Sequence, residues 1–353
     1  MTADRSARRG VDLWVGAYTA DSAGTAEGIG TLHVEEGVPH WSGVAVETPS
    51  PSFLARHPRL PLVYAVGESA QTVTAFHIRA RGRLQPAGVA WDAGASACHV
   101  AVDPQGRYLV VCCWGDGQVL LYELDADGGL RNRLPAAPAR DPHPAVGGMR
   151  HTRAHAALIL PDSRIATTDL GVDLLRLWRY EPGVGLVADH EVAFPEGSEP
   201  RHLVRHPSGR ILVVGEASAA VFVLVEGDDG RFAIESSSPA TRDPERAGPA
   251  AEISLDEDGR TAHVGIRGTN RIATLAVHDD GARLEALADV DCCGRTPRHH
   301  WESEQLLLVA NQDSSTVTSF RLDAATGIPT RLLATAPVPS PAFLLPFGGP
   351  AVE

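Results

Sequence analysis

Four ionisable residues that lie far apart in the chain occupy matching positions of a repeated pattern: His155, Arg201, Glu216 and Arg267. His155 is the member whose unperturbed pKa lies near neutrality, so it is the natural general acid or base. Guanidinium groups bind carboxylate or phosphate through paired hydrogen bonds. A carboxylate beside them either holds the guanidinium groups in place or transfers a proton. These residue types together predict acid–base chemistry on an anionic small molecule.

Two positions of the repeat supply these residues and further candidates. The first position, near the start of the first strand of each copy, holds Ser52, Cys98, His155, Arg201, Ala251 and Arg298. The second, at the end of the following strand, holds Glu68, Trp114, a residue near Asp169 and Leu170, Glu216, Arg267 and Gln312. Consecutive strands of a meander are antiparallel, so the start of one lies beside the end of the next.

We therefore expect both sets to converge at one face of the fold, around a common axis. Beyond the four acid–base and clamp residues, the predicted substrate-binding residues are Arg298, Glu68, Trp114, Gln312, Cys98 and Asp169. Convergent polar groups at the mouth of a closed β-ring are typical of a small-molecule site. The alternative is a solvated rim of unrelated charges.

The repeat that carries these positions is a three-strand pattern, clearest in residues 199–226. Its apolar runs are short and β-branched, and Pro and Gly separate them, which indicates an antiparallel meander rather than a helix. Full copies begin at Pro51, Ala97, Ala154, Pro200, Ala250 and Pro297, and a fragment begins near Ser340. Successive starts are roughly 43 to 57 residues apart, which is the period of four-stranded propeller blades. Two Pro-containing segments, residues 135–153 and 236–249, are predicted to be irregular insertions between copies.

The two ends of the chain complete each other. The final fragment supplies only a first strand, whereas the strands from Asp12 and Gly28 read as later strands of a copy that lacks its first. Joining them makes a seventh blade and leaves no open sheet edge. We predict an all-β, seven-bladed β-propeller of four-stranded antiparallel blades, formed by residues 11–353 as one domain after a disordered N-terminus of residues 1–10.

The amino-acid composition narrows the range of expected binding partners. The net charge is −13, from 44 acidic and 31 basic residues, and every basic residue is Arg because the chain has no Lys. An acidic chain without a basic run is a poor partner for nucleic acid or anionic membranes, and without Lys it cannot form a Schiff base. No secretory signal or membrane-spanning run is evident, so we expect a cytoplasmic protein.

Metal and cofactor chemistry has little support in the sequence, and we expect neither. His151 and His155 have a spacing that binds zinc on a helix, but here they flank a loop and a strand. Asp125, Asp127 and Gly128 resemble the start of a calcium loop that lacks its twelfth-position Glu. The chain contains no GxSxG motif, which argues against a serine hydrolase of the α/β type.

The five cysteines are odd in number and clustered, which does not indicate a disulfide framework. The pairs Cys112–Cys113 and Cys292–Cys293 are predicted to be buried apolar residues. Cys98, near His155 at the convergent position, remains an alternative nucleophile. For Asp169 there is also an alternative role, because an Asp beside a Gly at a strand end often fixes a turn.

Several stretches resemble a known family: VGAYT, PSFLARHPRLPLVYAVGE, AHAALILPDS with DLGVD, EPRHLVRHPSGRILVVGE and AEISLDEDGRTAHVGIRG. They are similar to the lactonase-type seven-bladed propellers, which include bacterial 6-phosphogluconolactonases and fungal carboxymuconate lactonising enzymes. The resemblance covers nearly the whole chain and implies that His155, Arg201, Glu216 and Arg267 form the active-site quartet. The chain differs from the family pattern in having Arg153, Ile266 and the pair Cys113–Trp114 around that quartet.

The resulting functional hypothesis is a hydrolase that opens the lactone ring of an anionic small molecule. His155 or Glu216 would act as the acid–base group, with Arg201 and Arg267 as a clamp. A cycloisomerase or lyase acting on an unsaturated acid needs the same groups and is the first alternative. A non-catalytic binding propeller is the second, although the WD and GH signatures of common scaffold repeats are missing.

Overall fold

The computed structural model describes residues 10–143 and 150–348, so of the predicted disordered segment 1–10 all but Gly10 lies outside the described residues. The described chain forms seven antiparallel sheets arranged as blades. Blade 1 contains β1 (Val11–Ala17), β2 (Gly28–Glu35), β3 (Val38–Glu47) and, from the other end of the chain, β29 (Pro341–Pro346). Blade 2 contains β4 (Leu54–Arg56), β5 (Leu62–Gly67), β6 (Thr72–Ile78) and β7 (Leu84–Pro86), and β8 (Trp91–Asp92) also pairs with β6.

The other five blades each consist of four consecutive strands. Blade 3 contains β9 (Ala97–Val102), β10 (Tyr108–Cys113), β11 (Val119–Leu124) and β12 (Leu130–Pro135). Blade 4 contains β13 (Ala154–Ile159), β14 (Ile165–Asp169), β15 (Leu174–Glu181) and β16 (Gly185–Ala193). Blade 5 contains β17 (Pro200–Arg205), β18 (Ile211–Gly215), β19 (Ala220–Glu226) and β20 (Phe232–Pro239).

Blade 6 contains β21 (Ala250–Leu255), β22 (Thr261–Ile266), β23 (Arg271–His278) and β24 (Arg283–Asp291). Blade 7 contains β25 (Pro297–Ser303), β26 (Leu306–Asn311), β27 (Thr316–Leu322) and β28 (Pro329–Pro337). Short 3-10 turns occur at Ala20–Ser22, Ala80–Gly82, Pro244–Arg246 and Asp279–Gly281. The predicted all-β, seven-bladed propeller is thus confirmed.

Ring closure joins the two ends of the chain, as the sequence predicts. β29 pairs antiparallel with β1, and the register includes Val15 opposite Leu344 and Leu13 opposite Pro346. β1 is therefore paired along both edges, with β2 and with β29, and the closing blade has four strands like the others.

The core lies between blades rather than within them. Each of seven buried apolar clusters combines side chains of two neighbouring blades. Apolar packing therefore joins every adjacent pair of blades, including blades 7 and 1. Val, Leu, Ile and Ala dominate these clusters. A few large aromatic residues, among them Trp14, Trp178 and Tyr64, are also fully buried, and burial of side chains of this kind is the main favourable term in folding.

A β-bulge at the start of the innermost strand recurs in six of the seven blades. In blade 5, Pro200 pairs with Gly215 and His202 pairs with Val214, which leaves Arg201 as the extra residue. Such a bulge redirects a side chain that regular pleating would turn away. The same register shift leaves Cys98, Arg298 and Ala342 as the extra, unpaired residues of their strands.

Two local predictions are wrong. The sequence predicts an insertion from Ser236, yet residues 236–239 continue β20, where an outer strand tolerates polar side chains on its exposed face. The sequence also predicts that Cys293 is buried with Cys292, but Cys293 is exposed, because its backbone has left the strand at a positive φ of 53°. Among the described residues, no helix has the length and apolar character needed to cross a membrane.

The long connection between β12 and β13, residues 136–153, is the irregular segment noted in the sequence, and residues 144–149 lie outside the described part. Its described ends are anchored to blade 4. His143 Nε2 lies 2.8 Å from the carbonyl oxygen of Phe194, and Arg150 pairs with both Asp141 and Asp173.

Candidate active site

A carboxylate held between two guanidinium groups forms the centre of the site. Glu216, which follows β18, places Oε2 2.9 Å from Nε of Arg201 and 2.8 Å from Nη2 of Arg267. The Arg side chains are fixed further, because Arg201 Nη1 donates to the carbonyl of Ala251 at 2.8 Å and Arg267 Nη2 donates to that of Ala250 at 3.0 Å. We call Arg201, Glu216 and Arg267 the clamp.

The charge state of the clamp follows from its contacts. Burial raises the pKa of Glu216, but Arg201 and Arg267 outweigh burial and hold that pKa below its usual range. Glu216 is therefore an ionised carboxylate at neutral pH and a weak proton acceptor. Arg201 is only 4% exposed, and within the described residues Nε of Arg267 has no hydrogen-bond partner. The clamp thus retains donor capacity for a ligand.

His155 lies at the matching position of β13, 7% exposed. Its Nδ1 has no hydrogen-bond partner within residues 10–143 and 150–348. Burial, and then the nearby guanidinium groups of Arg201 and Arg298, hold the pKa of His155 well below its ordinary value. The imidazole is consequently neutral at physiological pH, with a ring nitrogen available to a ligand or a water molecule.

Arg298, Gln312 and Glu68 meet on the other side of the mouth, together with Tyr18. Nη1 of Arg298 donates to Oε1 of Gln312 at 3.3 Å, and the guanidinium lies 5.0 Å from the centre of the Tyr18 ring. The Tyr18 hydroxyl donates to Oε2 of Glu68 at 2.8 Å. Burial raises the pKa of Tyr18, so this hydroxyl stays protonated.

Sequence reasoning missed Tyr18, although a signal was present. It lies in the motif VGAYT, directly after β1, which is the second strand of the closing blade. Its position therefore corresponds to those of Glu68 after β5 and Glu216 after β18. Extending the blade alignment to the N-terminal strands would have added it to the convergent set.

Three of the predicted site residues take other positions or roles. Trp114 is 39% exposed and stacks beneath the guanidinium of Arg153 at 4.7 Å. Asp169 Oδ1 accepts from the amides of Arg153 at 2.7 Å and Gly171 at 3.1 Å. The carboxylate therefore fixes the turn after β14, and burial raises its pKa to about 6.

Cys98 does lie beside His155, with Sγ 3.5 Å from the His155 carbonyl oxygen. Burial, the largest effect, raises the pKa of the thiol. A protonated thiol is a poor nucleophile, so the environment disfavours the alternative of cysteine catalysis.

A second layer of side chains lies one residue further along each innermost strand. It consists of Phe53, His99, Ala156, His202, Glu252, His299 and Phe343. Ring centres are 3.9 Å apart for Phe53–Phe343 and 4.1 Å apart for both Phe53–His99 and His299–Phe343. These rings, tilted against one another, form a floor beneath the mouth, and we call this layer the aromatic floor.

The axial cavity is lined by both layers. Its lining residues are Ser52, Cys98, His155, Arg201, Arg298 and Ala342 from the first layer and Phe53, His202, Glu252 and His299 from the aromatic floor. Sequence reasoning missed the floor residues because regular pleating would turn the residue after each first-layer position away from the axis. The bulge places two successive residues toward the axis, and the same alignment moved by one residue contains the signal.

The polar groups of the described residues are arranged to bind an organic molecule rather than a metal ion. No group of three or more His, Cys, Asp or Glu side chains in the described ranges is placed to hold a metal ion. Positive charge predominates at the mouth, where Arg201, Arg267 and Arg298 face two carboxylates. Guanidinium groups bind carboxylate and phosphate groups through paired hydrogen bonds.

Comparisons with known proteins agree with this fold. A sequence model of the family described as "Lactonase, 7-bladed beta-propeller" matches residues 12–346. The 6-phosphogluconolactonase of Bacillus subtilis (strain 168) is 26% identical over 343 residues, covering 93% of this chain and 96% of that protein.

Solved structures give the same result. The periplasmic gluconolactonase PpgL of Pseudomonas aeruginosa aligns with a TM-score of 0.85 and 26% identity, covering 96% of this chain and 99% of that one. A putative 6-phosphogluconolactonase of Bacteroides fragilis NCTC 9343 aligns with a TM-score of 0.86 and 22% identity over 97% and 99% of the two chains. The second likeness concerns the fold alone.

Proposed function

This chain belongs to the lactonase family of seven-bladed β-propellers, and we propose that it hydrolyses a lactone that carries a carboxylate or phosphate group. The family match and the names of its relatives support a lactone hydrolase. The observation that carries the finer proposal is the clamp, whose Arg201 lines the same cavity as the neutral, buried imidazole of His155.

An anionic substituent suits the charges of the site. Three guanidinium groups face two carboxylates, Glu68 and Glu216, at the mouth of a chain whose net charge is −13. Local positive charge in an acidic protein attracts anions to that point. Arg298, at the edge of the mouth, is the candidate partner of the substituent, while the clamp is left for the reacting carbonyl.

The reaction requires a base for water and a stabiliser for the oxyanion. His155 would accept a proton from water as the oxygen attacks the lactone carbonyl carbon. Arg201 and Arg267 would donate to the developing oxyanion, where preorganised donors usually contribute most. Glu216, with its lowered pKa, would hold these two guanidinium groups in place rather than transfer protons.

Substrate charge would also activate the base. Burial is the main cause of the lowered pKa of His155 in the free protein, and Arg201 and Arg298 lower it further. An anion bound to these groups offsets their field, so the pKa of His155 would rise when the site is filled. The base would thus become competent when an anionic substrate is bound.

The test compares 6-phosphogluconolactone with glucono-δ-lactone, which differ only in the phosphate. We expect higher kcat/KM for the phosphorylated compound, and oxygen from ¹⁸O-labelled water in the new carboxylate. His155→Ala should abolish turnover with an unchanged melting temperature, whereas His40→Ala, at an exposed position of β3, should change neither.

Other results would contradict the proposal in distinct ways. Unchanged hydrolysis by His155→Ala would remove His155 from the mechanism. Conversion of unsaturated diacids without incorporation of labelled oxygen would favour a cycloisomerase or lyase. Tight binding of lactones or of another protein with no turnover would favour a non-catalytic propeller.

A further inference from the structure

Glu252 is the one carboxylate of the aromatic floor. It lies two residues into β21, directly after the first-layer position of Ala251, and it is 7% exposed. Its side chain lines the same cavity as His155 and Arg201. A carboxyl group at that place can reach a ligand bound in the cavity, yet the lactonase mechanism described above assigns it no role.

Groups from both neighbouring blades face this carboxyl group. Oε1 of Glu252 lies 3.4 Å from Nδ1 of His202 in blade 5 and 3.6 Å from Nε2 of His299 in blade 7. Arg201 is the nearby charged group of blade 5, and Arg298 adjoins His299 on β25. Cys98 and His155 line the same cavity.

Neither imidazole neutralises the carboxyl group. Burial lowers the pKa values of His202 and His299 well below the ordinary range, so both rings are neutral at pH 7. Nδ1 of His299 accepts from the amide of Leu344 at 3.3 Å, so the neutral ring carries its proton on Nε2, toward Glu252. Burial raises the pKa of Glu252 itself to about 8, although Arg201 opposes the rise. Glu252 is accordingly a neutral acid at pH 7.

Lactone opening needs such an acid. When the bond between the carbonyl carbon and the ring oxygen breaks, the ring oxygen leaves as an alkoxide, which is strongly basic. His155 is neutral in the free protein and serves as the base for water, and the Arg groups of the clamp do not give up protons.

We propose that Glu252 is the general acid of the reaction and protonates the ring oxygen as the carbon–oxygen bond breaks, a role that rests on the lactone hydrolysis proposed above. Water gives one proton to His155 and its oxygen to the carbonyl carbon. The electron pair of the broken bond goes to the ring oxygen, which takes the proton of Glu252. The proton on His155 then restores Glu252 directly or through solvent, and the product is a hydroxy acid.

The experiment compares two lactones that differ in their need for an acid. Glucono-δ-lactone releases an alkoxide, whereas 3,4-dihydrocoumarin releases a phenoxide, whose conjugate acid has a pKa near that of tyrosine, about 10. Glu252→Gln keeps the size and hydrogen-bonding atoms of the side chain but cannot donate a carboxylic proton. We expect kcat for glucono-δ-lactone to fall about 10²- to 10⁴-fold and kcat for dihydrocoumarin to change less than about tenfold.

The pH profile separates catalysis from structure. With wild-type protein, kcat for glucono-δ-lactone should fall above pH about 8, where Glu252 loses its proton, and this limb should be absent with dihydrocoumarin. Glu252→Gln should lose the limb for both substrates. Glu235→Gln, at a surface ion pair with Arg210, should retain wild-type kcat and the limb.

Each outcome decides the proposal. Equal losses on both lactones, or an unaffected Glu252→Gln variant, would overturn the role of Glu252 while leaving hydrolysis intact. If wild-type protein turns over neither these two lactones nor 6-phosphogluconolactone, hydrolysis itself fails, and this role fails with it. If Glu252→Gln does not fold, the wild-type profiles decide, since an alkaline limb of equal size with both lactones would overturn the role.

Discussion

Replacing Glu216 by Gln is the most direct test of the clamp. The substitution keeps the shape and one acceptor oxygen of the side chain but removes its charge. Two guanidinium groups then face each other without the carboxylate that joins them, and Arg201 is buried, so water cannot replace the lost partner. Both stability and turnover should therefore fall.

The size of the stability loss follows from the contacts. Breaking a buried ion pair by removing one partner costs about 3–5 kcal/mol. Glu216 makes two ion-pair contacts, at 2.9 and 2.8 Å, and the Gln amide oxygen retains part of the attraction. We expect a net loss of about 2–3 kcal/mol. Unfolding entropy of about 2.1 cal/mol/K per residue over 353 residues gives about 0.7 kcal/mol/K. The melting temperature should fall by about 3–4 °C at pH 7.

The pH dependence of this difference has a defined sign. The folded-state pKa of Glu216 is lowered from its ordinary value of 4.5, so its ionised form stabilises the fold above that value. The contribution is lost as pH falls through the folded-state pKa. The gap in melting temperature between wild type and Glu216→Gln should be constant from pH 7 to about 5 and should narrow at more acidic pH.

Differential scanning calorimetry from pH 7 to pH 3 measures both effects. Glu235→Gln is the matched control, because it removes a carboxylate from a surface pair with Arg210. Surface pairs contribute about 0–1 kcal/mol, so this variant should melt within about 1.5 °C of wild type. Equal melting temperatures for Glu216→Gln and wild type at pH 7, or a gap that widens on acidification, would refute the clamp.

Two further predictions concern the ligand and a buried ion pair. Arg298→Gln should raise KM for 6-phosphogluconolactone about 10- to 150-fold, as expected for a lost charge-assisted contact of about 1.5–3 kcal/mol, with little change for glucono-δ-lactone. An equal change in KM for both compounds would contradict a role in binding phosphate. The second concerns His263, whose Nδ1 lies 2.7 Å from Oε2 of Glu302 and whose Nε2 lies 2.9 Å from the carbonyl oxygen of Gly327. Burial opposes the charged form of this imidazole. The two contacts outweigh burial and raise the pKa of His263 above its ordinary value of 6.5. This stabilisation is fully present below pH 6.5 and is lost as pH rises through the folded-state pKa, so Glu302→Gln should lower the melting temperature more at pH 5.5 than at pH 9. A loss independent of pH would contradict an imidazolium at His263.

Much of the fold was predictable because each blade is encoded locally. The apolar runs and turns of one copy specify four strands without reference to the rest of the chain, and seven copies then close a ring. The prediction was wrong at residues 236–239, where outer strand β20 carries polar side chains. An outermost strand has one face and one edge in solvent, so its sequence resembles that of a loop.

The candidate site was predictable in part for the same reason. Aligned positions of the blades meet around the axis, and the alignment identified His155 and the three clamp residues. It missed His202, Glu252 and His299, because a β-bulge places a second residue of each strand toward the axis. Bulges arise from the pairing register of two strands, and the repeat pattern of one strand does not reveal them.

The amino-acid sequence by itself determined the number of blades, the closure of the ring and the side chains available at the mouth. Only the tertiary structure decided which of these side chains carry charge. Glu216 is ionised because two guanidinium groups contact it, whereas Glu252, an identical side chain, holds its proton because it is buried between two neutral imidazoles. Protonation depends on burial and on distances between charges from different blades, and those are established only when the blades pack together.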